Sequence, residues 1–458
     1  MNRSKELYDA DPEIFTLIGE ELERKRTGLE LIPSENFTSL AVMQAMGSIL
    51  TDKYSEGYPG RRYYGGNQVI DKVENLAIER AKQLFGVPYV NVQPYSGSPA
   101  NLEVYFALLR PGDTVMGLNL ADGGHLSHGY SGSVTGQLFH SVPYHTRRDG
   151  YIDFDELKRN VAVNPPQLIW VGYTAYPRFF PFEEMAAIAD DCGAFLAADI
   201  AHVAGLVAGS AHPSPVPFAH VVTTTTHKTL RGPRGAMIMV TDKGLAKDPD
   251  LGKKIDKVVI PGMQGGPHNH TTAAIAVALL EASRPSFRNY AAQVVANAKA
   301  LAEELQANGL RLVTGGTDTH LLLLDLTPLS EGFGLLAQEA LDEAGMTVNK
   351  NTIPREPFSA INPSGIRLGT PTVTSRGMKE PEMRLVGQLV ARGIEAVEHY
   401  VMPSDRLERS AFLKAFRADI ASNVTLAQLR KEVAQLCADF PIYPELDYRS
   451  DASAGGNP

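Results

Sequence analysis

Lys228 closes a run of hydroxyl-bearing residues, Thr223-Thr224-Thr225-Thr226-His227-Lys228-Thr229, directly after the apolar pair Val221-Val222. A lysine just past the C-terminal edge of a strand sits where open α/β sheets place their ligands. An isolated lysine there would ordinarily be a solvated loop residue. The segment Arg231-Gly232-Pro233-Arg234-Gly235 follows at once and adds two cations and tight turns. Neighbouring cations lower the pKa of an amine, and a neutral amine is a nucleophile that can form a Schiff base. Asp199 ends the apolar run Phe195-Leu196-Ala197-Ala198-Asp199. A carboxylate there is costly unless it meets a buried partner. In isolation it reads as a helix cap or ion-pair member. Beside a Schiff-base lysine it reads as the partner of a protonated ring nitrogen.

Three further segments supply groups of the same kind. Ser96-Gly97-Ser98-Pro99-Ala100-Asn101 opens a helical stretch, and small residues with free N–H groups at a helix start can hold a phosphate. Gly262-Met263-Gln264-Gly265-Gly266-Pro267 is a second small-residue loop that can approach an anion. Asp122-Gly123-Gly124-His125-Leu126-Ser127-His128-Gly129 places imidazoles among glycines, a pattern for backbone passing close to a ligand with a ring free to stack. Ser364-Gly365-Ile366-Arg367-Leu368-Gly369-Thr370-Pro371 carries an arginine that could clamp a substrate carboxylate through two parallel hydrogen bonds. Each segment alone has an ordinary structural reading: cap, turn, core histidine or surface ion pair. Together they describe a pyridoxal 5′-phosphate (PLP) enzyme acting on an amino acid.

These groups need a scaffold, and the sequence reads as an α/β one. Apolar runs at 114–118, 168–172, 195–200, 221–225 and 236–240 predict strands, with helices at 100–109 and 182–192 between them. Continuous apolar strands alternating with helices imply a mostly parallel sheet covered on both faces. Asp11-Pro12 predicts a helix start and Gly28 its stop. A helix is expected over 72–85, with Val73, Leu76, Ala77 and Leu84 on its buried face and Gly86 as its cap. Residues 53–66 read as irregular. Beyond about residue 283 the spacing predicts a helix at 287–308, a strand at 321–326, a helix at 335–344, a strand at 346–349 and further helices between 380 and 438: a smaller α+β unit. The expected organisation is an N-terminal helical arm (1–35), a large cofactor-binding domain (36–284), a small C-terminal domain (285–445) and a disordered tail (446–458).

Composition excludes other classes. The chain has 458 residues, with 43 basic against 52 acidic side chains and a net charge of −9. This balance argues against nucleic acid as the main partner. The two cysteines, Cys192 and Cys437, form neither a disulfide framework nor a zinc pattern, and no metal site is expected. The longest apolar stretch, near 273–280, is far short of a membrane span. The N-terminus lacks the apolar core of a signal peptide, so the expected location is cytoplasmic.

The wording of the motifs adds a resemblance. VVTTTTHKTLRGPRG (221–235), Asn36, KYSEGYPGRRYYGG (53–66), DIAHVAG (199–205) and residues 365–371 resemble serine hydroxymethyltransferase from about residue 30 to 376. The resemblance implies a fold-type I PLP transferase that moves the hydroxymethyl group of serine to tetrahydrofolate, giving glycine and 5,10-methylenetetrahydrofolate. It implies PLP attached covalently to Lys228, His125 stacked on its ring, Asp199 at the ring nitrogen and His202 near the ring hydroxyl. Ser96, Gly97 and Ser98 match the phosphate loop; Thr174 and His227 match further positions around the cofactor, and Thr225 is counted with Lys228, Glu56, His125 and Asp199 in the catalytic set. Tyr54, Gly265 and Gly266 match residues that the family lends to a neighbouring subunit's site, which implies a homodimer or homotetramer. Glu56 matches the acid/base carboxylate, with a pKa expected to be raised by burial. Ser34, Tyr64 and Arg367 match substrate contacts; Leu120 and Gly124 match backbone positions that meet folate.

The chain departs from the family wording at Thr174, usually serine, and at Tyr95. It departs most at Phe358-Ser359-Ala360-Ile361-Asn362-Pro363, a segment that touches folate in the family. That change keeps two other readings open. One is a folate-independent PLP aldolase for other β-hydroxy amino acids; the other is a non-catalytic binding protein, against which an intact Lys228 argues. Retro-aldol cleavage and direct attack of folate on the serine Cβ also both remain open.

Overall fold

The computed structural model describes residues 3–448. The first two and last ten residues, most of the expected tail, lie outside the described residues. Helix Pro12–Thr27 starts where Asp11-Pro12 predicts: the Asp11 side chain accepts from Ile14 N–H, and Gly28 ends it. A short helix, Arg3–Ala10, precedes it.

A seven-stranded sheet forms the centre. Its spatial order is Tyr89–Asn91, Ala236–Val240, Val221–Thr225, Phe195–Asp199, Leu168–Gly172, Thr114–Met116, His140–Ser141. The five strands from Val221–Thr225 onward run parallel, whereas Ala236–Val240 pairs antiparallel with both of its neighbours. The strands at 168–172, 221–225 and 236–240 match their apolar runs, and their every residue is buried. The end strands Tyr89–Asn91 and His140–Ser141 escape a pattern reading because three and two residues are too short to show a period.

Two helix expectations are corrected. The helix expected at 100–109 spans Gly97–Leu108, so the glycine and serine of the small-residue loop lie inside its first turn. The helix expected at 72–85 begins at Gln68 and buries Ile70, Glu74, Ala77, Ala81 and Phe85. Leu76 is exposed instead. The stripe is set by Glu74, which can be buried because it is paired with Arg62 at 2.7 Å and bonded by Gln93 at 2.8 Å. A hydrophobicity pattern cannot see that pair. Gly86, at φ +69°, closes the helix as expected.

The C-terminal half holds a four-stranded antiparallel sheet in the order Arg311–Leu312, Leu321–Asp325, Gly365–Gly369, Asn349–Asn351. The strand expected at 346–349 divides here: Met346–Thr347 pairs with Leu29–Glu30, and Asn349–Asn351 joins the sheet beside Arg367. Helices Glu380–Glu395, Arg406–Ala421 and Val424–Asp439 cover this unit. Leu29 and Leu31 are buried in its core. The helix Pro285–Ala307 is shared. Phe287, Tyr290, Ala291 and Val294 pack in the core of the large sheet, while Ala298, Leu301 and Leu305 pack in the C-terminal core. At 1.5 Å per residue it forms a rod of about 35 Å that fixes the second sheet relative to the first.

Candidate active site

The strand register brings the expected groups to one edge. Gly172 pairs with Asp199, and Asp199 with Thr223, so the C-terminal ends of two parallel strands lie level and the third runs two residues further, to Thr225. Lys228 follows the third strand and is 9% exposed. Its loop is tied down on both sides. Asn36 donates from Nδ2 to the Lys228 carbonyl at 3.0 Å, and the Thr229 hydroxyl donates to the His202 carbonyl at 2.9 Å. Burial pulls the Lys228 amine down to about 8; Asp199 opposes this, and Arg367 and Arg234 add to it.

Asp199 is the most heavily bonded carboxylate of the edge. Its Oδ2 accepts from Asn101 Nδ2 at 2.8 Å and lies 3.1 Å from His128 Nε2; its Oδ1 accepts from Ala201 N–H at 3.0 Å. Burial alone would raise its pKa, but the His128 hydrogen bond and the charges of His128, His125 and Lys228 hold it well below the carboxylate range. Asn101 is held in turn by Thr223, whose hydroxyl donates to Oδ1 at 2.7 Å, and it donates to Ser127 Oγ at 2.8 Å. Ser127 lies 2.7 Å from His125 Nδ1. One network therefore runs from strand to helix to the His125 ring. Burial pulls His125 down to about 4, so its ring is neutral at ordinary pH. The ligand-type atoms of His125, His128 and Asp199 lie within 4.8 Å of one another, a closeness the His128–Asp199 hydrogen bond accounts for.

Asn101, His128 and Thr223 carry this network without having been singled out among the candidates. Their signals were present: a polar residue in the apolar stretch 100–109, a second histidine three residues after the first, and a threonine whose register matches Asp199. His128 also stacks on Trp170, with centroids 5.2 Å apart.

On the other side stands Arg367, buried on the strand Gly365–Gly369. Its Nε donates to Asn349 Oδ1 at 2.9 Å, and Nη1 donates to the Thr174 carbonyl. Burial lowers its pKa to about 10, which leaves it charged. The Thr174 hydroxyl donates to the Gly124 carbonyl at 2.8 Å. This links the loop carrying Gly124 and His125 to the arginine. Gly124 is sterically required, because a Cβ there would lie 1.8 Å from the Leu118 carbonyl oxygen. Leu120 lines a cavity of about 400 Å³ together with His125 and His128. Ser34 and His227 share another, of about 590 Å³, with Asn36 and Arg234.

Ser96 is the N-cap of the helix Gly97–Leu108 and makes no side-chain capping bond. Gly97 faces the Thr225 side chain, where a Cβ would come within 2.8 Å of Cγ2. The Thr225 hydroxyl and His227 Nδ1 are buried without a partner. Unfilled helix-start N–H groups, an orphan hydroxyl and an orphan imidazole nitrogen beside Lys228 make a donor set that fits a phosphate. A poised amine, an anionic Asp199 and a neutral flanking imidazole fit the aldehyde and pyridine ring that would be attached to it. The residues present thus suit PLP.

Tyr54, Glu56, Tyr64, Gly265 and Gly266 form a second group, built from contacts among themselves. The Tyr54 and Tyr64 rings are 5.4 Å apart. A Cβ on Gly266 would lie 2.9 Å from the Tyr54 ring, and one on Gly265 would lie 3.4 Å from Glu56 Oε1. Tyr54 is 59% exposed and Tyr64 48%. Glu56 is half-buried, so the burial expected for it is not supplied by its own protomer. Residues 358–363, the segment that departs from the family wording, form a loop. Lys350 Nζ caps the Ile361 carbonyl at 2.7 Å, and the neighbouring Thr352 donates to the Ala121 carbonyl at 2.9 Å.

A parallel sheet whose C-terminal edge gathers these groups, with a second unit supplying an arginine from above, defines a fold-type I PLP-dependent enzyme. The family model for serine hydroxymethyltransferase matches residues 7–390. The serine hydroxymethyltransferase of Koribacter versatilis strain Ellin345 is 51% identical over 443 residues, 96% of this chain and 97% of that one. Its counterpart in Acidothermus cellulolyticus is 58% identical over 393 residues, 85% and 90% of the two chains. The one in Sorangium cellulosum is 53% identical over 440 residues, 95% and 96%. This chain belongs to the serine hydroxymethyltransferase family.

Proposed function

We propose that this chain catalyses the reversible transfer of the serine hydroxymethyl group to tetrahydrofolate, giving glycine and 5,10-methylenetetrahydrofolate, at the site around Lys228. The observation that carries the assignment of the site is the pair of opposed environments at one sheet edge: an amine lowered to about 8 beside a carboxylate held anionic by three donors. PLP, when bound, supplies the electron sink that lets bonds at the amino-acid Cα break heterolytically.

The chain's residues have separate tasks. Lys228 offers its amine for covalent attachment; with a pKa of about 8, roughly one amine in ten is neutral at pH 7, compared with fewer than one in a thousand for an ordinary lysine. Asp199 would hold the proton on the ring nitrogen. His125 would pack on the ring as a neutral imidazole, adding no charge that opposes that proton. Ser96, Gly97, Ser98, Thr225 and His227 serve the phosphate, and Thr174 and His202 the ring edge. Arg367 would clamp the substrate carboxylate, with Ser34 beside it. Leu120 and Gly124 offer backbone to folate.

Tyr54, Glu56, Tyr64, Gly265 and Gly266 serve the neighbouring subunit of a two-fold homodimer. Their exposure, and the mutual packing that preforms them as a unit, support that reading. Glu56 then moves the proton between the serine hydroxyl and folate. The domain division at 36–284 and 285–445 is retained as the functional one, with residues 29–31 joined to the C-terminal core. Among the described residues no helix is long and apolar enough to cross a membrane, and a cytoplasmic location is proposed. The test is glycine formation from serine by PLP-loaded protein, with and without tetrahydrofolate. The rate is expected to depend strongly on folate and to vanish in Lys228→Ala. Equal rates without folate would favour the aldolase reading motivated by residues 359–363.

A further inference from the structure

We propose that His320 is a positioning residue, one that fixes the tautomer of His202 so that His202 presents an Nε2–H towards the Lys228 pocket as donor to the ring oxygen of the cofactor. The inference rests on the reading of His202 as the neighbour of that oxygen. His202 follows the strand Phe195–Asp199, and His320 immediately precedes the strand Leu321–Asp325 of the other sheet. Both rings are buried. His202 Nδ1 lies 3.2 Å from His320 Nε2. Burial, with the charges of Lys228 and Arg367, pushes both imidazoles well below their ordinary pKa, so both are neutral.

Two neutral imidazoles share a single proton across that contact, and two arrangements are possible. If His202 donated, the proton of His320 would sit on Nδ1, which is buried with no partner. A polar N–H would be stranded in a dry interior, and His202 would turn a lone pair towards the pocket, where the ring oxygen is itself an acceptor. If His320 donates, its Nδ1 keeps only a lone pair and the proton of His202 moves to Nε2. That atom has no hydrogen bond among the described residues, so it is available to the cofactor. The second arrangement leaves every N–H with an acceptor once the ring oxygen is present. The His320 backbone is fixed by the sheet that also carries Arg367: its carbonyl accepts from Thr370 N–H at 3.1 Å, and Leu321 pairs with Gly369. Placement of the clamp and choice of the tautomer thereby depend on the same strands.

The test measures the equilibrium affinity of cofactor-free protein for PLP and for 3-deoxypyridoxal 5′-phosphate, which lacks the ring oxygen. His320→Leu should weaken PLP about tenfold, the scale of one hydrogen bond to an anionic acceptor, and leave the deoxy analogue unchanged. His320→Gln places an amide N–H near the position of the imidazole Nε2 and should restore most of the loss. His320→Leu should add nothing in a His202→Phe background. If the leucine variant does not fold, His320→Asn, whose amide falls short of His202, takes its place. Equal weakening of both cofactors by the His320 variants, or no rescue by glutamine, would overturn the role of His320. His202→Phe tests the reading beneath it: if that variant treats the two cofactors alike, His202 does not meet the ring oxygen, and the positioning role falls with it.

Discussion

Burial and charge act on Lys228 in opposite senses, and burial wins. Desolvation disfavours its ammonium form, Arg367 and Arg234 disfavour it further, and Asp199 recovers only part. In cofactor-free protein the carbamylation of Lys228 by cyanate should therefore rise with pH around a midpoint near 8, not 10.5; a midpoint above 10 would show that the pocket does not activate the amine. Asp199 is lowered too, but by its donors and in the sense that favours its charged form, so it stays ionised across the accessible range. Asp199→Asn keeps the shape and loses the charge. Turnover should fall by about 10²–10³-fold, the scale for removing a preorganised electrostatic contact, with PLP still bound. Near-normal turnover would make Asp199 structural. The residues that make direct chemistry possible were legible because their types are unusual where they stand: a lysine after four threonines, an aspartate ending an apolar run. Asn101 and Thr223 were not, since amides and hydroxyls are common and only three-dimensional register shows that they hold Asp199.

At the scale of elements, the parallel strands could be read because burial on both faces leaves continuous apolar runs. The antiparallel strand Ala236–Val240 looks the same in sequence, since burial does not encode direction. Helix boundaries and faces were less legible wherever buried charges replace apolar residues, as Glu74 does with Arg62. Glu103, on the helix Gly97–Leu108, is the sharper case. Both its carboxylate oxygens are buried without partners, and burial alone pushes its pKa up to about 8. The folded chain therefore keeps a proton there that the unfolded chain releases above 4.5. Stability drains away through this group as pH rises from 4.5 to about 8 and is not regained above that. Glu103→Gln removes the effect. The variant should melt progressively higher than the parent across that window; a difference independent of pH would mean the carboxyl finds a partner in solution.

On the proposed function the whole molecule is a two-fold object. Each protomer carries Lys228, Asp199, His125 and Arg367 in one group, and Tyr54, Glu56, Tyr64 and the Gly265–Gly266 loop in another. The family resemblance made Tyr54, Gly265 and Gly266 legible as a partner's contribution, and Tyr64 and Glu56 join them only through their packing in the fold; no property of the group's own sequence could show it, because an exposed tyrosine looks the same whether water or a second chain covers it. Mixing Lys228→Ala with Tyr54→Ala protein, each inactive alone, should restore activity as subunits exchange, towards about one quarter of the parental level when half of the dimers are mixed and each has one intact site. Mixed dimers that form and stay inactive would place both groups in one protomer's site.

Every role assigned around Lys228 depends on where the cofactor is held. The most direct test is to load the protein with PLP, reduce with borohydride, digest it and map the pyridoxyl label by mass spectrometry. One labelled lysine is expected, Lys228, in the peptide that spans the threonine run and Arg231. A label on any other lysine, with Lys228 unmodified, would contradict it.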